Sequence, residues 1–245
     1  MWRTIGLSVA PPIKPVCQDA NRWQSLDADT LLMTVADGAG TAARAKIGAD
    51  VASRAALDYM TEHADATNPL NRPERWPIVL HGALESAIVA LRTEAEKHSV
   101  PLDHYATTLI GVIATPDLVV VAQVGDGMVF IVDTEGAILR LTIPQRGEYS
   151  NETCMLTSLF ALDNIQTAVW QEPITGIAAM TDGLLPITTT LPFYKPYSPF
   201  FTNLFTFLRN TEDREEAHRK LKGFLLSDRV QNGTGDDLTL LLAVL

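Results

Sequence analysis

Aspartates stand beside the ends of several apolar segments in this sequence. The clearest case is 31–41, LLMTVADGAGT, in which a run of apolar and β-branched residues ends at Asp37 and is followed at once by Gly38. An Asp-Gly pair at a strand end is often an ordinary turn, because Asp bonds its own backbone and Gly accepts positive φ. The arrangement recurs along the chain, however, and the repetition favours a shared function. The aspartates concerned are Asp19, Asp37, Asp126, Asp182 and Asp236.

Carboxylates that converge at one edge of a folded sheet would need a cation. Negative side chains held close together repel one another, raise one another's pKa values and destabilise the fold unless positive charge neutralises them. Oxygen ligands without cysteine or histidine favour hard ions, namely Mg²⁺, Mn²⁺ or Ca²⁺. A glycine next to an aspartate also lets a backbone carbonyl approach an ion. The residue types therefore predict a divalent metal site.

Charge and composition narrow the class of protein. The chain has 245 residues and a formal net charge of −10. This charge argues against a nucleic-acid partner or an anionic membrane, because both attract basic surfaces. The two cysteines, Cys17 and Cys154, cannot form a disulfide framework, and no run approaches the roughly 18 apolar residues of a membrane span. We expect a soluble, cytoplasmic protein.

Periodicity divides the chain into helices and strands. Apolar residues at helical spacing predict helices over about 43–63 and 77–98, and a capped acidic start predicts another from 211 to about 227. Residues 105–143 alternate short apolar runs with turn residues. They predict an antiparallel meander in which 125–127, Gly-Asp-Gly, is a tight turn.

The remaining segments complete a single structural unit. Residues 144–165 have no clear period and are predicted to form a loop or flap. No linker, repeat or low-complexity tract divides the chain. Many short antiparallel strands, with two helices early and one or two late, predict a single α+β domain over residues 1–245, in which sheets lie between helix layers.

Five short motifs follow one another in a definite order. They are VADGAG, ATTLIGVI, AQVGDGMVFIV, MTDGLLP and GDDLTLLLAV. In this order they resemble the ADGMGG, GTTL, NVGDSRAYL, SDGL and DNITLLVV motifs of the metal-dependent PPM-type (type 2C) serine/threonine protein phosphatases. The resemblance runs from about Lys14 to the C-terminus, and the five motifs together are specific although each alone is weak. It implies a four-layer α-β-β-α sandwich with two central antiparallel sheets.

The resemblance also implies a role for each matching residue. Asp37 would bridge two metal ions, with the carbonyl of Gly38 on the second ion. Asp182 and Asp236 would complete the shell of the first ion, and these three aspartates would form the catalytic centre. Asp126 would serve a third ion together with Asp182. The ions implied are Mn²⁺ or Mg²⁺, two or three in number.

The implied reaction is hydrolysis of phosphoserine or phosphothreonine in a phosphorylated protein. A water or hydroxide that bridges two ions would attack phosphorus directly, without a covalent intermediate. Lys14 stands where the family has a phosphate-binding arginine, and it would bind the phosphate. Asp19 matches the acid of the family's NED motif and would reach the metals through water. We expect a monomer.

Departures from the family pattern leave a second interpretation open. Gln18 stands in place of a glutamate, Lys14 in place of an arginine and Asp237 in place of an asparagine, and Ala39 cannot act as a general acid. A lysine presents a point charge instead of a bidentate fork, which weakens phosphate binding. The alternative is a catalytically weak module of the same fold that binds or regulates. A phosphatase with an aspartyl nucleophile needs a second aspartate, and position 35 is Val.

Overall fold

The part of the chain that the structure describes contains twelve short strands and six α-helices. The computed structural model describes residues 1–64, 72–145 and 153–245. The strands are β1 (Arg3–Val9), β2 (Ala20–Ser25), β3 (Leu31–Ala36), β4 (Leu109–Thr115), β5 (Leu118–Val124), β6 (Met128–Asp133), β7 (Ile138–Arg140), β8 (Gln166–Trp170), β9 (Ile174–Met180), β10 (Thr189–Thr190), β11 (Lys195–Pro196) and β12 (Leu238–Val244). The helices are α1 (Ala45–His63), α2 (Trp76–His98), α3 (Leu185–Thr188), α4 (Ser198–Asn210), α5 (Arg214–Leu225) and α6 (Asp228–Gln231).

Two five-stranded antiparallel sheets pack face to face between layers of helices. Sheet one has the order β1-β12-β9-β6-β7, sheet two has the order β2-β3-β4-β5-β8, and β10 and β11 form a separate short pair. Apolar side chains from both sheets form the core between them. α1 and α2 cover the outer face of sheet two, and α4 and α5 cover the outer face of sheet one. The predicted α-β-β-α sandwich with two central antiparallel sheets is confirmed.

The position of β3 explains its uninterrupted apolar sequence. All six of its residues are buried. Leu32 packs in the core beneath α1 and α2, whereas Leu31 and Met33 pack in the core between the sheets. Because both faces of the strand are covered, its sequence is a continuous apolar run instead of an alternation. The strand therefore delivers Asp37 from a rigid interior element.

The helices agree closely with their sequence periodicity. The helices predicted over 43–63 and 77–98 are confirmed as α1 and α2. The helix predicted from 211 to 227 is shorter, because α5 begins at Arg214 and ends at Leu225 before the separate turn of α6. The side chain of Asp213 caps α5 by accepting hydrogen bonds from the amides of Glu215 and Glu216. Across the described ranges, no helix is both long and apolar enough to cross a lipid bilayer.

The predicted meander over 105–143 is wrong at its centre. β4 pairs with β5, and β6 pairs with β7, as expected for hairpins. β5 and β6, however, lie in different sheets, so residues 125–127 carry the chain across the sandwich. Gly125 has φ 123°, which side chains rarely adopt. A tight turn has the same local sequence whether it closes a hairpin or joins two sheets, and only long-range packing separates the two.

Two further segments were difficult to interpret from sequence. β2 was not predicted, because its residues ANRWQS are only half-buried or exposed and lie at the edge of sheet two. Within the predicted flap over 144–165, residues 146–152 lie outside the described residues. The part that follows packs closely, because Leu156 is fully buried in the core beneath α1 and α2.

Candidate active site

The aspartates singled out in the sequence lie where strand ends of the two sheets meet. Asp37 follows β3, and Asp19 precedes its antiparallel neighbour β2. Asp182 follows β9 after one residue, and Asp236 shortly precedes its antiparallel neighbour β12. Asp126 lies on the connection between β5 and β6, which joins the two sheets. Strand direction and this crossing therefore bring side chains from both sheets to one edge of the sandwich.

Three of these carboxylates form a tight group, which we call the acidic trio. Asp37, Asp126 and Asp182 each contribute one carboxylate oxygen, and all three oxygens lie within 4.8 Å of one another. Oδ1 of Asp182 is buried and has no hydrogen-bond partner in the described part of the chain. A buried carboxylate oxygen without a donor is costly unless a cation satisfies it. The acidic trio therefore has the donor set of a site for a hard divalent ion.

Backbone contacts hold Asp37 in place. Its amide donates to Oγ1 of Thr108 at 3.0 Å. Its carbonyl accepts hydrogen bonds from Oγ1 of Thr107 and the amide of Thr108, each at 2.8 Å. A Cβ on Gly38 would lie 2.6 Å from the carbonyl oxygen of Gln18, so only glycine fits there. Thr107 and Thr108, which directly precede β4, thus fix the backbone of Asp37, which directly follows β3.

The pKa values of the acidic trio reflect crowded negative charge. Burial raises the pKa of Asp37 well above its usual range, and the charges of Asp19 and Asp182 raise it further. Burial also raises the pKa of Asp182 to about 6, with a smaller contribution from Asp126. The pKa of Asp126 is raised by burial, although a hydrogen bond from Thr153 opposes the shift. Burial and crowding thus favour the protonated form of these carboxyl groups, and a bound cation would oppose this shift.

Asp19 lies behind the acidic trio and not within it. Its Oδ2 accepts hydrogen bonds from Oγ1 of Thr181 at 2.9 Å and Oγ1 of Thr239 at 2.7 Å. Its Oδ1 is buried and has no partner among the described residues. Burial raises the pKa of Asp19 to about 7 despite the two hydroxyl donors. Asp19 therefore lies close enough to Asp37 for its charge to raise the pKa of Asp37.

Asp236 lies in a second group, which we call the lysine cluster and which comprises Lys14, Asp236 and Asp237. The ammonium of Lys14 forms an ion pair with Asp236 and lies 3.5 Å from Oδ2 of Asp237. The side chain of Asp236 is 49% exposed, whereas that of Asp237 is 2% exposed. Oδ2 of Asp237 accepts a hydrogen bond from the amide of Gln18 at 2.9 Å. Burial lowers the pKa of Lys14, but the two carboxylates outweigh this effect and leave the pKa raised.

The acidic trio lines one cleft of about 950 Å³ together with Lys14 and Asp236 of the lysine cluster. Thr153, Met155 and Ser158, from the predicted flap, form another wall of this cleft. Oγ1 of Thr153 donates to Oδ2 of Asp126 at 2.5 Å. Sequence reasoning missed Thr153, because nothing in its local sequence distinguishes it from the other hydroxyl residues of that segment. Only the packing of the flap beside the connection between β5 and β6 identifies it.

The structure thus separates the sequence-predicted site residues into three positions. Asp37, Asp126 and Asp182 come together. Asp236 and Lys14 line the same cleft and pair with each other, and Asp19 is buried behind. Their assignment as metal ligands or as a phosphate-binding residue stays a prediction. An oxygen-only pocket with adjacent ammonium charge suits a divalent cation together with an anionic substrate.

Comparison with known proteins gives the family. The sequence model of the family described as Protein phosphatase 2C matches residues 14–226. The chain is 31% identical over 258 residues to Serine/threonine-protein phosphatase 3 of Escherichia coli (strain K12), covering 99% of this chain and 98% of that protein. The chain therefore belongs to the protein phosphatase 2C family. The resemblance drawn from the motifs, and the expectation of a phosphatase that accompanied it, are confirmed.

Solved structures support the fold independently. The serine/threonine phosphatase Stp1 from Staphylococcus aureus matches with a TM-score of 0.68 at 15% identity, covering 100% of this chain and 95% of that one. The catalytic domain of the serine threonine protein phosphatase PstP, solved in complex with two manganese ions, matches with a TM-score of 0.66 at 17% identity, covering 99% and 97%. At these identities, the likeness shows a shared sandwich fold.

Proposed function

We propose that this protein hydrolyses phosphoserine and phosphothreonine in phosphorylated proteins, using two divalent metal ions. The observation that carries the proposal is the acidic trio, which faces the same cleft as Lys14. Membership of the protein phosphatase 2C family supports the reaction class. The manganese complex of PstP supports the choice of ion, and oxygen-only ligands make Mg²⁺ an equally suitable one.

The carboxylates and one backbone carbonyl would hold the ions. In the proposed arrangement, Asp37 would be a ligand of both ions, and the carbonyl of Gly38 would be a ligand of the second. Asp182 and Asp236 would complete the shell of the first ion, and Asp19 would act through water. A third ion would use Asp126 with Asp182. Divalent ions bound there would lower the pKa of a water molecule and offset charge on the phosphoryl oxygens.

Lys14 would bind and orient the phosphate. Its raised pKa keeps the ammonium charged at neutral pH. The ammonium pairs with Asp236 and lies 3.5 Å from the buried carboxylate of Asp237, so a phosphoryl oxygen would compete with these carboxylates for it. Ala39 lines the cleft and has no proton to donate. Water or another residue would therefore protonate the leaving seryl or threonyl oxygen.

The test is hydrolysis of p-nitrophenyl phosphate and of a phosphothreonine peptide by the whole chain. Turnover should require Mn²⁺ or Mg²⁺ and should disappear with EDTA, with phosphate and the free hydroxyl peptide as products. Calorimetric titration with Mn²⁺ gives the stoichiometry, expected to be two or three ions. Protein that is folded and binds Mn²⁺ but hydrolyses neither compound would contradict the proposal and favour the catalytically weak binding module.

We also propose that residues 1–245 form one domain, which acts as a monomer in the cytoplasm. Pairing of β1 with β12, near opposite ends of the described chain, supports a single domain. Calorimetry should then show one cooperative unfolding transition. The free thiols of Cys17 and Cys154 suit a reducing compartment. Sedimentation analysis and cell fractionation test the oligomeric state and the location.

A further inference from the structure

A second groove continues from the acidic cleft, and we call it the basic groove. Its volume is about 580 Å³, and it shares Lys14 and Gly40 with the cleft. It runs over the loop before β2 and the start of α1. Its lining includes Lys14, Val16, Gly40, Arg44, Lys46 and Ile47. A chain that leaves the cleft past Gly40 enters this groove directly.

The charged side chains that line the basic groove are positive, whereas the protein as a whole carries a net negative charge. The whole chain carries 29 acidic and 19 basic residues. In the described part of the chain, the groove has three cationic side chains, Lys14, Arg44 and Lys46, and no carboxylate in its lining. Such a local excess in an acidic protein selects for anionic partners by charge complementarity.

Two of these cations have no carboxylate partner within the described ranges. The guanidinium of Arg44 donates to the hydroxyl of Tyr105 at 2.9 Å and lies 5.6 Å from the centre of its ring. Nζ of Lys46 is exposed and lies 3.4 Å from the carbonyl oxygen of Cys17. Neither side chain forms an ion pair with any residue that the structure describes. Both charges are therefore available to a ligand without first breaking an internal ion pair.

The start of α1 adds to the positive potential. α1 has 19 residues, no side chain in the described ranges caps its first turn, and that turn contains no acidic residue. The first amides of a helix lack acceptors and carry the positive end of the helix dipole. Lys46 and Ile47, from this turn, line the groove. Ile47 and Val16 are 42% and 48% exposed and offer apolar surface to the aliphatic part of a side chain.

We propose that the basic groove binds acidic side chains of the substrate that flank its phosphorylated residue. This inference rests on the proposed phosphatase function, since it requires the phosphate to occupy the cleft. An extended chain advances roughly 3.3–3.6 Å per residue, so side chains within about four positions of the phosphoresidue reach the groove. The groove would attract acidic sequences that the acidic residues around the cleft repel. Its chemistry thus selects phosphoproteins with clustered Glu or Asp beside the site.

Peptide kinetics test this preference. The substrates are phosphothreonine peptides of equal length with three Glu, three Gln or three Lys on the N-terminal or the C-terminal side, and p-nitrophenyl phosphate as the reference without flanks. We expect kcat/KM for a Glu peptide to exceed that of its Gln counterpart by roughly fivefold on one side, with the Lys peptide slower still. The preference should decline as NaCl is raised from about 20 to 500 mM, because salt screens exposed charges.

A charge reversal and its matched control locate the effect. Lys46→Glu places an acidic residue in the first turn of α1, where it is compatible with the helix, and should abolish or invert the preference while leaving hydrolysis of p-nitrophenyl phosphate unchanged. Lys222→Glu makes the same change in net charge at an exposed position on α5 and should keep the preference.

The possible results separate this inference from the function on which it rests. Equal kcat/KM for Glu and Gln peptides, with metal-dependent hydrolysis of p-nitrophenyl phosphate intact, would overturn the basic groove and leave the proposed function standing. A preference that survives Lys46→Glu, or that Lys222→Glu removes equally, would also overturn it. Absence of hydrolysis of every substrate would refute the phosphatase function and this inference with it.

Discussion

The acidic trio and the lysine cluster meet at one cleft, but the negative charge of the two groups is balanced differently. In the trio, Asp37, Asp126 and Asp182 approach one another and form no ion pair with any side chain that the structure describes, and their pKa values are raised. In the lysine cluster, the ammonium of Lys14 lies between two carboxylates. The chain thus neutralises one group with its own side chain and leaves the other to an external ion.

The difference indicates how binding is divided within the cleft. Carboxylates without an internal partner have high affinity for a divalent ion, because binding removes their mutual repulsion. Carboxylates already paired with a lysine gain less, and an anion that binds this lysine competes with them for it. We therefore expect the trio to dominate metal binding, with Asp236 as a further ligand, and Lys14 to dominate phosphate binding. The experiments below test this division, beginning with the largest expected effect.

Removing a charge from the trio should abolish activity. Asp182→Asn keeps the shape of the side chain but replaces a carboxylate oxygen with an amide nitrogen that cannot ligate a hard ion. We expect kcat/KM for a phosphothreonine peptide to fall by about 10³-fold or more, with a parallel loss of Mn²⁺ affinity in calorimetry. Asp117→Asn, at an exposed turn of the hairpin between β4 and β5, is the matched control. Near-normal turnover in Asp182→Asn would remove the trio from the mechanism.

Removing the charge of the lysine cluster should have two opposite effects. Lys14→Ala deletes the proposed phosphate ligand, so KM should rise by about tenfold with a smaller change in kcat. It also leaves Asp236 and Asp237 without their cation, so Mn²⁺ affinity should increase by about threefold. Lys14→Arg should leave KM at or below the wild-type value, because a guanidinium binds phosphate with a bidentate fork. A fall in Mn²⁺ affinity in Lys14→Ala would contradict the proposed division of the cleft.

The pH dependence of stability should distinguish metal-free from metal-bound protein. The folded protein raises the pKa of Asp182 to about 6 and that of Asp19 to about 7, from the ordinary value of 3.8. Because the folded state then binds protons that the unfolded state releases, these groups destabilise the fold above their folded pKa values, and the penalty disappears as pH falls through 7 toward 4. The metal-free protein should melt about 3 °C or more higher at pH 5.5 than at pH 8.

Two controls make the pH experiment decisive. Asp19→Asn removes one of the titrating groups and should flatten the dependence of the melting temperature on pH. Saturating Mn²⁺ should raise the melting temperature most at pH 8, where the carboxylates are ionised and free to bind it. A metal-free protein that is less stable at pH 5.5 than at pH 8 would indicate that the raised pKa values of Asp19 and Asp182 do not dominate the pH dependence of its stability.

The smallest expected effect concerns the flap residue that touches the trio. Thr153→Val keeps the volume but removes the hydroxyl that donates to Asp126. The hydrogen bond lowers the pKa of Asp126, so its loss should weaken Mn²⁺ binding by about threefold, and by more at pH 6 than at pH 8. Ser158→Ala, in the same wall of the cleft, should leave Mn²⁺ affinity unchanged. Equal effects of the two substitutions would indicate a general change in the cleft and not the loss of the hydrogen bond to Asp126.

Local patterns account for the parts of the fold that were predicted well. α1 and α2 are confirmed because apolar residues recur at helical spacing over five turns or more, and this period is a property of neighbouring residues. The burial of β3 follows in the same way from an apolar run that ends at Asp37. The half-exposed edge strand β2 escaped prediction because its polar residues give no period.

The sequence by itself determined the family, the sandwich and the aspartates that stand at strand ends, because each of these is written in short motifs and in their order. Tertiary structure alone decided that β5 and β6 belong to different sheets, and so that Asp126 joins Asp37 and Asp182. It also decided that Asp19 is buried behind them and that Asp236 pairs with Lys14. These outcomes depend on contacts between residues far apart in the chain, whose geometry no local pattern contains.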